Sequence, residues 1–226
     1  MALVAQKNGG AGNRVEQAPI PAGVYPARLV QLIDLGLQAQ RPFQGKDKPP
    51  VQEIMLTYEL VDTFMLDAEG NEQEDKPRWV SETLPLYGLF ADKAKSTQRY
   101  KTFDPTEQFG GDFTQVVGDP VNVTIVQNVV GDKTYTNVAN IGAMRPKDAE
   151  KCPALKNPTK IFDVDNPDME VFAGLPQWIQ DKIKANLNFA GSKLEAAVAK
   201  APVKAQPKRD EPKPEAEPAK ANNNPY

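Results

Sequence analysis

The sequence predicts a mainly β protein in which three strands, a helical segment and two further strands follow one another. Turn-forming residues such as Gly131-Asp132 separate the strand-like runs, and residues 89–102 replace the strand pattern with helix formers. A period of two is typical of a strand with one buried face. It is clearest over residues 52–61, where one face carries Ile54, Leu56, Tyr58 and Leu60.

Five strands are predicted from runs of apolar and β-branched residues that turn formers bound. Pro21 and Pro26 lie near the start of the first strand, where proline is tolerated at a strand start or on a sheet edge. The turn Asp67-Ala-Glu-Gly70 precedes the third strand, and Pro85 ends it. The predicted strands cover residues 24–35, 52–61, 78–84, 121–126 and 134–141.

The segment between the third and fourth strands is predicted to be helical. Asp92 lies near the start of residues 89–102, and Arg99 and Lys101 lie near the end, which suits the helix dipole. A second short helix is expected over residues 109–117. Three strands, a helix and two strands form the element order of the OB-fold, a five-stranded Greek-key barrel that binds oligonucleotides or oligosaccharides. We therefore predict an OB-fold barrel with an inserted helix.

The remainder of the chain is expected to be less regular. Leu175-Pro176 opens a short helix, whose residues Ile179, Ile183 and Leu187 share an apolar face that should dock on the barrel or on a partner subunit. From residue 196 the composition shifts to Ala, Pro, Lys and Glu, which cannot bury a core. The predicted division is a flexible arm at 1–19, the OB-fold domain at 20–145, an irregular extension with a short helix at 146–192, and a disordered tail at 193–226.

Composition limits the possible functions. The chain of 226 residues can bury a core without disulfides, and its single Cys152 is typical of a reducing compartment. It contains no His, which excludes catalysis or metal binding through imidazole. The net charge of −3 shows that the whole molecule is not basic, although a basic patch can still bind a polyanion. No apolar run is long enough to span a membrane and no signal peptide is recognisable, so a cytosolic location is expected.

The candidate ligand surface combines cations with aromatic residues. Cations can follow the phosphates of a single strand, and aromatic faces can stack on its bases. The alternative is that barrel aromatics belong to the core and that the charges are only solvated. Arg28 is the only cation in an otherwise apolar first strand. With it, the candidate residues for binding single-stranded nucleic acid are Arg41, Phe43, Lys46, Lys48, Arg78, Trp79, Tyr87, Lys93, Lys95, Arg99, Lys101, Lys133 and Tyr135.

No pattern in the sequence indicates an enzyme, a cofactor or a metal. Gly9-Gly10-Ala-Gly12 follows no strand and precedes no Lys-Ser/Thr, as a phosphate loop would require. Residues 163–168 are rich in Asp and Asn but lack the Gly and distal Glu of a calcium loop, so Asx turns are the better interpretation. Cys152 has no ligand cluster near it in the sequence.

Several stretches together resemble one family. They are Ile20-Pro-Ala-Gly-Val-Tyr-Pro-Ala-Arg-Leu-Val, Lys93-Ala-Lys-Ser-Thr-Gln-Arg-Tyr-Lys, Val117-Gly-Asp-Pro-Val-Asn-Val, Lys133-Thr-Tyr-Thr-Asn-Val-Ala-Asn-Ile and Phe172-Ala-Gly-Leu-Pro-Gln-Trp-Ile-Gln-Asp-Lys-Ile. In order and spacing they resemble bacteriophage and prophage single-stranded DNA-binding proteins over roughly residues 20–190.

The resemblance implies an OB-fold protein that coats single-stranded DNA during phage DNA replication and recombination in the host cytoplasm. It also implies a C-terminal tail that contacts replication proteins, here ending in Pro225 and Tyr226. Tails of this kind are usually acidic, whereas residues 201–226 carry cations as well as anions. We expect DNA across the face of strands 2 and 3, between the loops at 41–48 and 130–135, with little sequence preference because phosphate contacts and stacking read no base edges.

Two alternatives are open from the sequence. One is a virion structural or assembly protein that uses a β-barrel as a protein-docking module. The other is a recombination nuclease or its accessory subunit, but the chain has no compact Asp…Glu-x-Lys pattern after a strand. The sequence leaves the oligomeric state open.

Overall fold

A computed structural model describes residues 17–200, which form a mainly β protein. Five strands form an antiparallel path in the order β3-β2-β1-β4-β5, and a short sixth strand pairs in parallel with β1. Within residues 17–200 no strand ladder joins β3 to β5, so the sheet is open along one seam. The strands are β1 Gly23–Gln38, β2 Val51–Leu66, β3 Glu72–Pro85, β4 Pro120–Val130, β5 Lys133–Ala143 and β6 Lys160–Phe162.

Helices occupy the segments between and after these strands. A 3₁₀ turn at Phe113–Val116 precedes β4. No helix in the described part of the chain is long and apolar enough to cross a membrane. The helices are α1 Lys95–Phe103, α2 Pro146–Ala149, α3 Met169–Gly174, α4 Gln177–Lys184 and α5 Lys193–Lys200.

Strand β1 organises the sheet because it pairs on both sides. Its first part pairs with β4 and most of its length pairs with β2, with register shifts after Leu29 and Asp34. At the second shift Gly36 adopts φ +78°, and its N–H donates to Asp34 Oδ1 at 2.9 Å. A Cβ at position 36 would lie 2.7 Å from the side chain of Asn186, so glycine is required there by conformation and by space.

The first hydrophobic core lies on the face that the alternation in β2 predicted. Ile54, Leu56, Tyr58 and Leu60 are all buried, as expected. The other face of β2 differs from a solvent-exposed strand face, because Met55, Thr57 and Glu59 are also buried. The period of two therefore identified the strand correctly, but it did not indicate that both faces are covered.

The C-terminal extension covers that second face. Ile33 and Met55 of the sheet pack with Phe162, Ile183 and Leu194 of the extension in a second hydrophobic core. The prediction of a docking helix is confirmed in part, since Ile179 and Ile183 of α4 are buried. Leu187 lies beyond the end of α4 and is 53% exposed. The region is thus a packed layer, whereas the sequence predicted an irregular one.

Several element bounds differ from the predictions. All five predicted strands are longer at both ends than expected: β1, β2, β4 and β5 begin one residue earlier, and β3 begins six residues earlier. Helix α1 begins at Lys95, so residues 89–94 are turns, and only four residues of the predicted second helix are helical. Helix α5 lies within the predicted disordered tail, because Leu194 anchors it in the second core.

The predictions for the N-terminal arm before residue 17 and for the tail after residue 200, including Pro225 and Tyr226, lie outside the described residues.

Two sets of side-chain contacts bridge the seam between β3 and β5. Arg99 of α1 donates through Nε to Glu82 Oε1 of β3 at 2.8 Å and through Nη1 to Asn140 Oδ1 of β5 at 2.6 Å. Tyr58 donates its hydroxyl to Glu82 Oε1 at 2.9 Å, and burial followed by the charge of Glu82 raises the pKa of Tyr58 well above its ordinary value. Arg99 is 2% exposed, so a buried polar network takes the place of a strand ladder.

The segment before β1 forms the second bridge. Arg78 Nη2 of β3 donates to the carbonyl of Ala18 at 2.7 Å. The N–H of Ile20 donates to Thr136 Oγ1 of β5 at 3.0 Å, and Gln127 Nε2 of β4 donates to the Ile20 carbonyl at 3.1 Å. Residues 18–20 therefore connect β3 to the β4–β5 hairpin across the open seam.

Candidate nucleic-acid interface

The loop between β1 and β2 presents an aromatic ring beside a cation. Phe43 and Lys46 exchange two backbone hydrogen bonds of 2.9 and 3.0 Å around Gln44 and Gly45, both with positive φ. That geometry matches a two-residue type I′ turn. Lys48 Nζ lies 4.7 Å from the centre of the Phe43 ring, which is 59% exposed. The small hairpin thus holds an aromatic face in solvent, and Arg41 is exposed in the same loop.

The segment that leaves β3 presents two more aromatic rings. The N–H of Tyr87 donates to Ser96 Oγ at 3.1 Å, which ties the segment to the first turn of α1. Tyr87 is 44% exposed and Phe90 is 91% exposed. Lys93 and Lys95 are exposed, and neither takes part in an ion pair within residues 17–200. Cations and stacking surfaces therefore lie together again.

Phe90 was missed by the sequence prediction. The sequence predicts one helical segment over residues 89–102, in which Phe90 would contribute to a helix face. The helix begins five residues after Phe90, and the intervening residues form turns. Gly88, two residues before Phe90, was the local signal that could have indicated a turn at this position.

These two groups leave the sheet at the same end. Strand β2 begins at Val51, opposite Gln38 at the end of β1. Strand β3 ends at Pro85, opposite Glu53, and the N–H of Leu86 donates to the Gln52 carbonyl at 2.7 Å. We call the exposed side chains at this end the loop-end surface, which comprises Arg41, Phe43, Lys46, Lys48, Tyr87, Phe90, Lys93 and Lys95.

Lys101 has its charge balanced locally. Its Nζ lies 2.9 Å from Asp92 Oδ1 and 2.9 Å from Glu107 Oε1. Hydrogen bonds first to Asp92 and then to Glu107 raise the pKa of Lys101. Lys101 therefore ties the turn before α1 to the loop after it, and Lys93 and Lys95 are the cations of this region that have no carboxylate partner among the described residues.

Two of the predicted DNA-binding arginines have their donors engaged by the protein. Arg28 donates to the carbonyl oxygens of Gly118, Cys152 and Pro153 at 2.8, 2.9 and 2.7 Å. It thereby attaches the segment after α2 to β1. Arg99 is buried in the network across the seam. In this conformation both hold the fold together and neither presents its guanidinium to a ligand.

Trp79 lies in the middle of β3, and a hydrogen bond holds the indole N–H edge of its ring. Its Nε1 donates to Glu59 Oε2 at 3.0 Å, and its side chain is 38% exposed. Glu59 is 1% exposed and also accepts from the N–H of Lys156 at 2.6 Å and from Asn157 Nδ2 at 2.7 Å. The sequence analysis predicted that DNA lies across the face of strands 2 and 3. On that face the β3 residue Trp79 is partly exposed, whereas the C-terminal extension covers the β2 residue Glu59.

Arg78, the neighbour of Trp79, is half-buried against the segment before β1. Desolvation by burial lowers the pKa of Arg78 from its ordinary value, which is far above neutrality, so the side chain remains a cation at pH 7. Since one of its terminal nitrogens donates to Ala18, Arg78 contributes charge near the surface but also stabilises the seam.

Lys133 and Tyr135 lie on the β4–β5 hairpin, at the other end of β1. Gly23 at the start of β1 pairs with Ile125, and β4 continues to Val130 beyond that pair. Tyr135 is 49% exposed and Lys133 is exposed. These two residues form a second patch that is separate from the loop-end surface, and the β1 strand lies between the two patches.

The acidic run at 163–168 behaves as the Asx interpretation predicts. Asp163 Oδ1 accepts from the N–H of Asp165 at 2.8 Å. Asp168 caps α3 by accepting from the N–H groups of Glu170 and Val171 at 2.8 and 3.1 Å.

Among residues 17–200 no group of three or more Cys, Asp or Glu side chains is placed to hold a metal ion. Burial raises the pKa of Cys152, which carries a free thiol.

A comparison of the sequence with models of known protein families finds no match. A comparison with characterised proteins finds no significant match either. What the chain binds is therefore inferred from the side chains described above and from their placement.

Proposed function

We propose that this protein binds single-stranded DNA without strong sequence preference and that its sheet is an OB-type barrel. The strand order β3-β2-β1-β4-β5, with α1 between β3 and β4, supports the barrel. In this proposal the seam between β3 and β5 is the barrel's closing point, where Arg99 and residues 18–20 take the place of a strand ladder.

The loop-end surface is the observation that carries the proposal. Three exposed aromatic rings, those of Phe43, Tyr87 and Phe90, lie at the sheet end that also carries five exposed cations. Base–aromatic stacking contributes about 1–3 kcal/mol per base, and every base has a face that can stack. Cations that neutralise phosphates add affinity that depends on salt and not on sequence. The net charge of −3 is compatible with this, since the cations are concentrated locally.

The proposed path of the strand starts at the loop-end surface and follows the open face of β3 past Trp79. The second patch, with Lys133 and Tyr135, would extend the path at the other end of β1. A role in phage DNA replication and recombination, in the host cytoplasm and together with replication proteins, follows from the resemblance of the sequence to phage proteins. In this proposal the protein is not an enzyme and needs no cofactor.

The test is a titration of oligo(dT) followed by intrinsic fluorescence at about 50 and 200 mM salt. We expect tight binding at low salt, a steep loss of affinity at high salt and quenching of Trp79. Replacing Lys93 and Lys95 together by Ala should reduce the slope of log K against log salt by about 1.4, since each phosphate contact to a single strand contributes about 0.7.

Lys147 and Lys151 provide the matched control, because they are exposed lysines in and just after α2, outside the loop-end surface. Their double replacement by Ala should leave the slope unchanged. Equal affinity for duplex DNA, absence of salt dependence, or the same loss in both double variants would contradict the proposal.

A second candidate function is that of a virion structural or assembly protein, and one observation favours it. The β4–β5 hairpin exposes apolar side chains, with Val126, Val129 and Val130 at 42%, 67% and 60% exposure. Val126 and Val130 share one face of the strand and Val129 lies on the other, and exposed apolar side chains of this kind can dock on protein. Co-purification with virus particles, combined with no shift of a labelled single strand, would favour this candidate over DNA binding.

A further inference from the structure

A cavity of about 270 Å³ opens at the loop-end surface. It lies between the segment that leaves β3, helix α1 and the loop after α1. Its lining includes Tyr87, Gly88, Tyr100, Gly110 and Phe113. The volume lies just below the range of about 300–1,000 Å³ that is usual for drug-sized ligands, so the cavity fits one planar ring system.

The walls of this cavity are preformed. Tyr100 and Phe113 make an edge-to-face contact with ring centres 5.3 Å apart. The hydroxyl of Tyr100 donates to Asp104 Oδ2 at 2.9 Å. Asp104 also accepts from the N–H groups of Gln108 and Phe109 at 3.1 and 3.0 Å, which holds the loop after α1 in place. A ligand would therefore enter without first ordering the loop, which favours affinity.

Glycines are among the residues that line the cavity. Gly110 adopts φ +61°, and a Cβ at that position would meet no atom within 4 Å. Gly88 lies under the ring of Phe90, since a Cβ at position 88 would approach that ring to 2.6 Å. Phe90 thus stands at the rim, where its exposed face can continue a stack that begins inside the cavity.

Charge at the rim indicates the kind of ligand. Lys93 lines a separate shallow hollow with Phe90, between the lining residues Leu89 and Ser96 in the chain, and Lys95 directly precedes Ser96. The nearby carboxylate of Asp92 is paired with Lys101. Lys93 and Lys95 therefore have no carboxylate partner within residues 17–200. Two unpaired cations attract an aromatic ring flanked by phosphate groups more strongly than they attract a neutral or cationic side chain.

We propose that this cavity receives a single unpaired base of bound single-stranded DNA, which stacks with Tyr87 and Phe90 while Lys93 and Lys95 contact the flanking phosphates. The inference rests on the proposed function and deepens it, because it assigns one base of the bound strand to an enclosed position. The remaining bases would lie on open surface.

The first experiment locates the base. Oligo(dT) that carries a single 5-iodouracil is bound to the full-length protein and irradiated, and the crosslinked peptides are identified by mass spectrometry. Crosslinks within residues 86–113 are expected. Crosslinks that fall only on other segments would overturn the proposal.

The second experiment measures affinity for oligo(dT) and for an abasic oligonucleotide of the same length. Phe90→Ala should weaken oligo(dT) binding by about tenfold, leave the salt slope unchanged and leave abasic binding unchanged. Gly88→Ala should act in the same direction by displacing Phe90, because the backbone at Gly88 lies outside the left-handed region and accepts alanine. Trp178→Ala is the control, since Trp178 is 59% exposed on α4. Circular dichroism checks that each variant folds.

The outcomes separate the two proposals. If the wild type does not bind oligo(dT), the proposed function fails. If the wild type binds and both variants match Trp178→Ala, the base cavity is wrong while the proposed function stands. Saturable binding of N-acetyltyrosinamide by the wild type and not by Phe90→Ala, with no crosslink in residues 86–113, would assign the cavity to a protein side chain and overturn the base proposal.

Discussion

Arg99 stabilises the fold, although the sequence places it among the candidate ligand-binding cations. In the sequence it lies between Lys95 and Lys101, in a run of cations that suits a phosphate backbone. In the structure it is 2% exposed, and its guanidinium joins β3 to β5 across the seam. A buried charge that loses its partner is strongly unfavourable, so Arg99 and Glu82 depend on each other.

We expect Arg99→Ala to lower the free energy of unfolding by about 3–5 kcal/mol, because it leaves the Glu82 side chain, which is only 9% exposed, without its cationic partner. Urea unfolding followed by circular dichroism measures the change. Arg145→Ala is the control, since Arg145 pairs with Asp148 but its side chain is 84% exposed. Exposed pairs contribute about 0–1 kcal/mol, so a similar loss in both variants would show that Arg99 does not hold the seam.

At the scale of elements, α4 packs on the sheet face that carries the second hydrophobic core. Ile179 and Ile183 pack with Ile33 and Met55, so α4 and the sheet share the second core. Lys182 of α4 adds an ion pair to Glu53 of β2, with Nζ and Oε2 2.6 Å apart. The helix therefore belongs to the fold, and it covers the face of β2 beneath it.

Ile183→Ala should destabilise the protein by about 2–5 kcal/mol, because Ile183 is 0% exposed and its loss would leave a cavity. Leu187→Ala removes a similar volume from a side chain that is 53% exposed and should change stability little. Urea unfolding of both variants makes the comparison. A small effect of Ile183→Ala would mean that the extension contributes little to the stability of the sheet.

At the scale of the whole molecule, two hydrophobic cores share the same two strands. Leu29, Leu32, Ile54 and Leu56 belong to the first core. Ile33, Leu35 and Met55 belong to the second. Because successive residues of β1 and β2 point into different cores, loss of either core exposes one face of both strands. The described part of the chain should therefore unfold as one unit.

The two tryptophans allow this to be measured, since Trp79 lies on β3 and Trp178 on α4. Variants Trp178→Phe and Trp79→Phe each leave one reporter. We expect each fluorescence transition in urea to coincide with the circular dichroism transition of the same variant. If the Trp178 signal changes at a lower urea concentration than the circular dichroism of that variant, the extension unfolds separately and the shared-core interpretation is wrong.

The sequence by itself determined the mainly β class, the order of the elements and the buried face of β2. Period-two alternation and turn residues are local signals, and they survive in the final structure. It also indicated the cation-rich loops, including Phe43 and Lys48, because loop composition is visible without a fold.

Only the tertiary structure decided which of these residues face solvent. Arg28 and Arg99 are engaged by distant partners at Cys152 and Asn140, and no local pattern encodes such pairings. The structure also placed Phe90 beside Tyr87 at one end of the sheet, because helix α1 begins later than its composition suggests. Exposure depends on what packs from elsewhere in the chain, and that is set by the sum of non-local contacts.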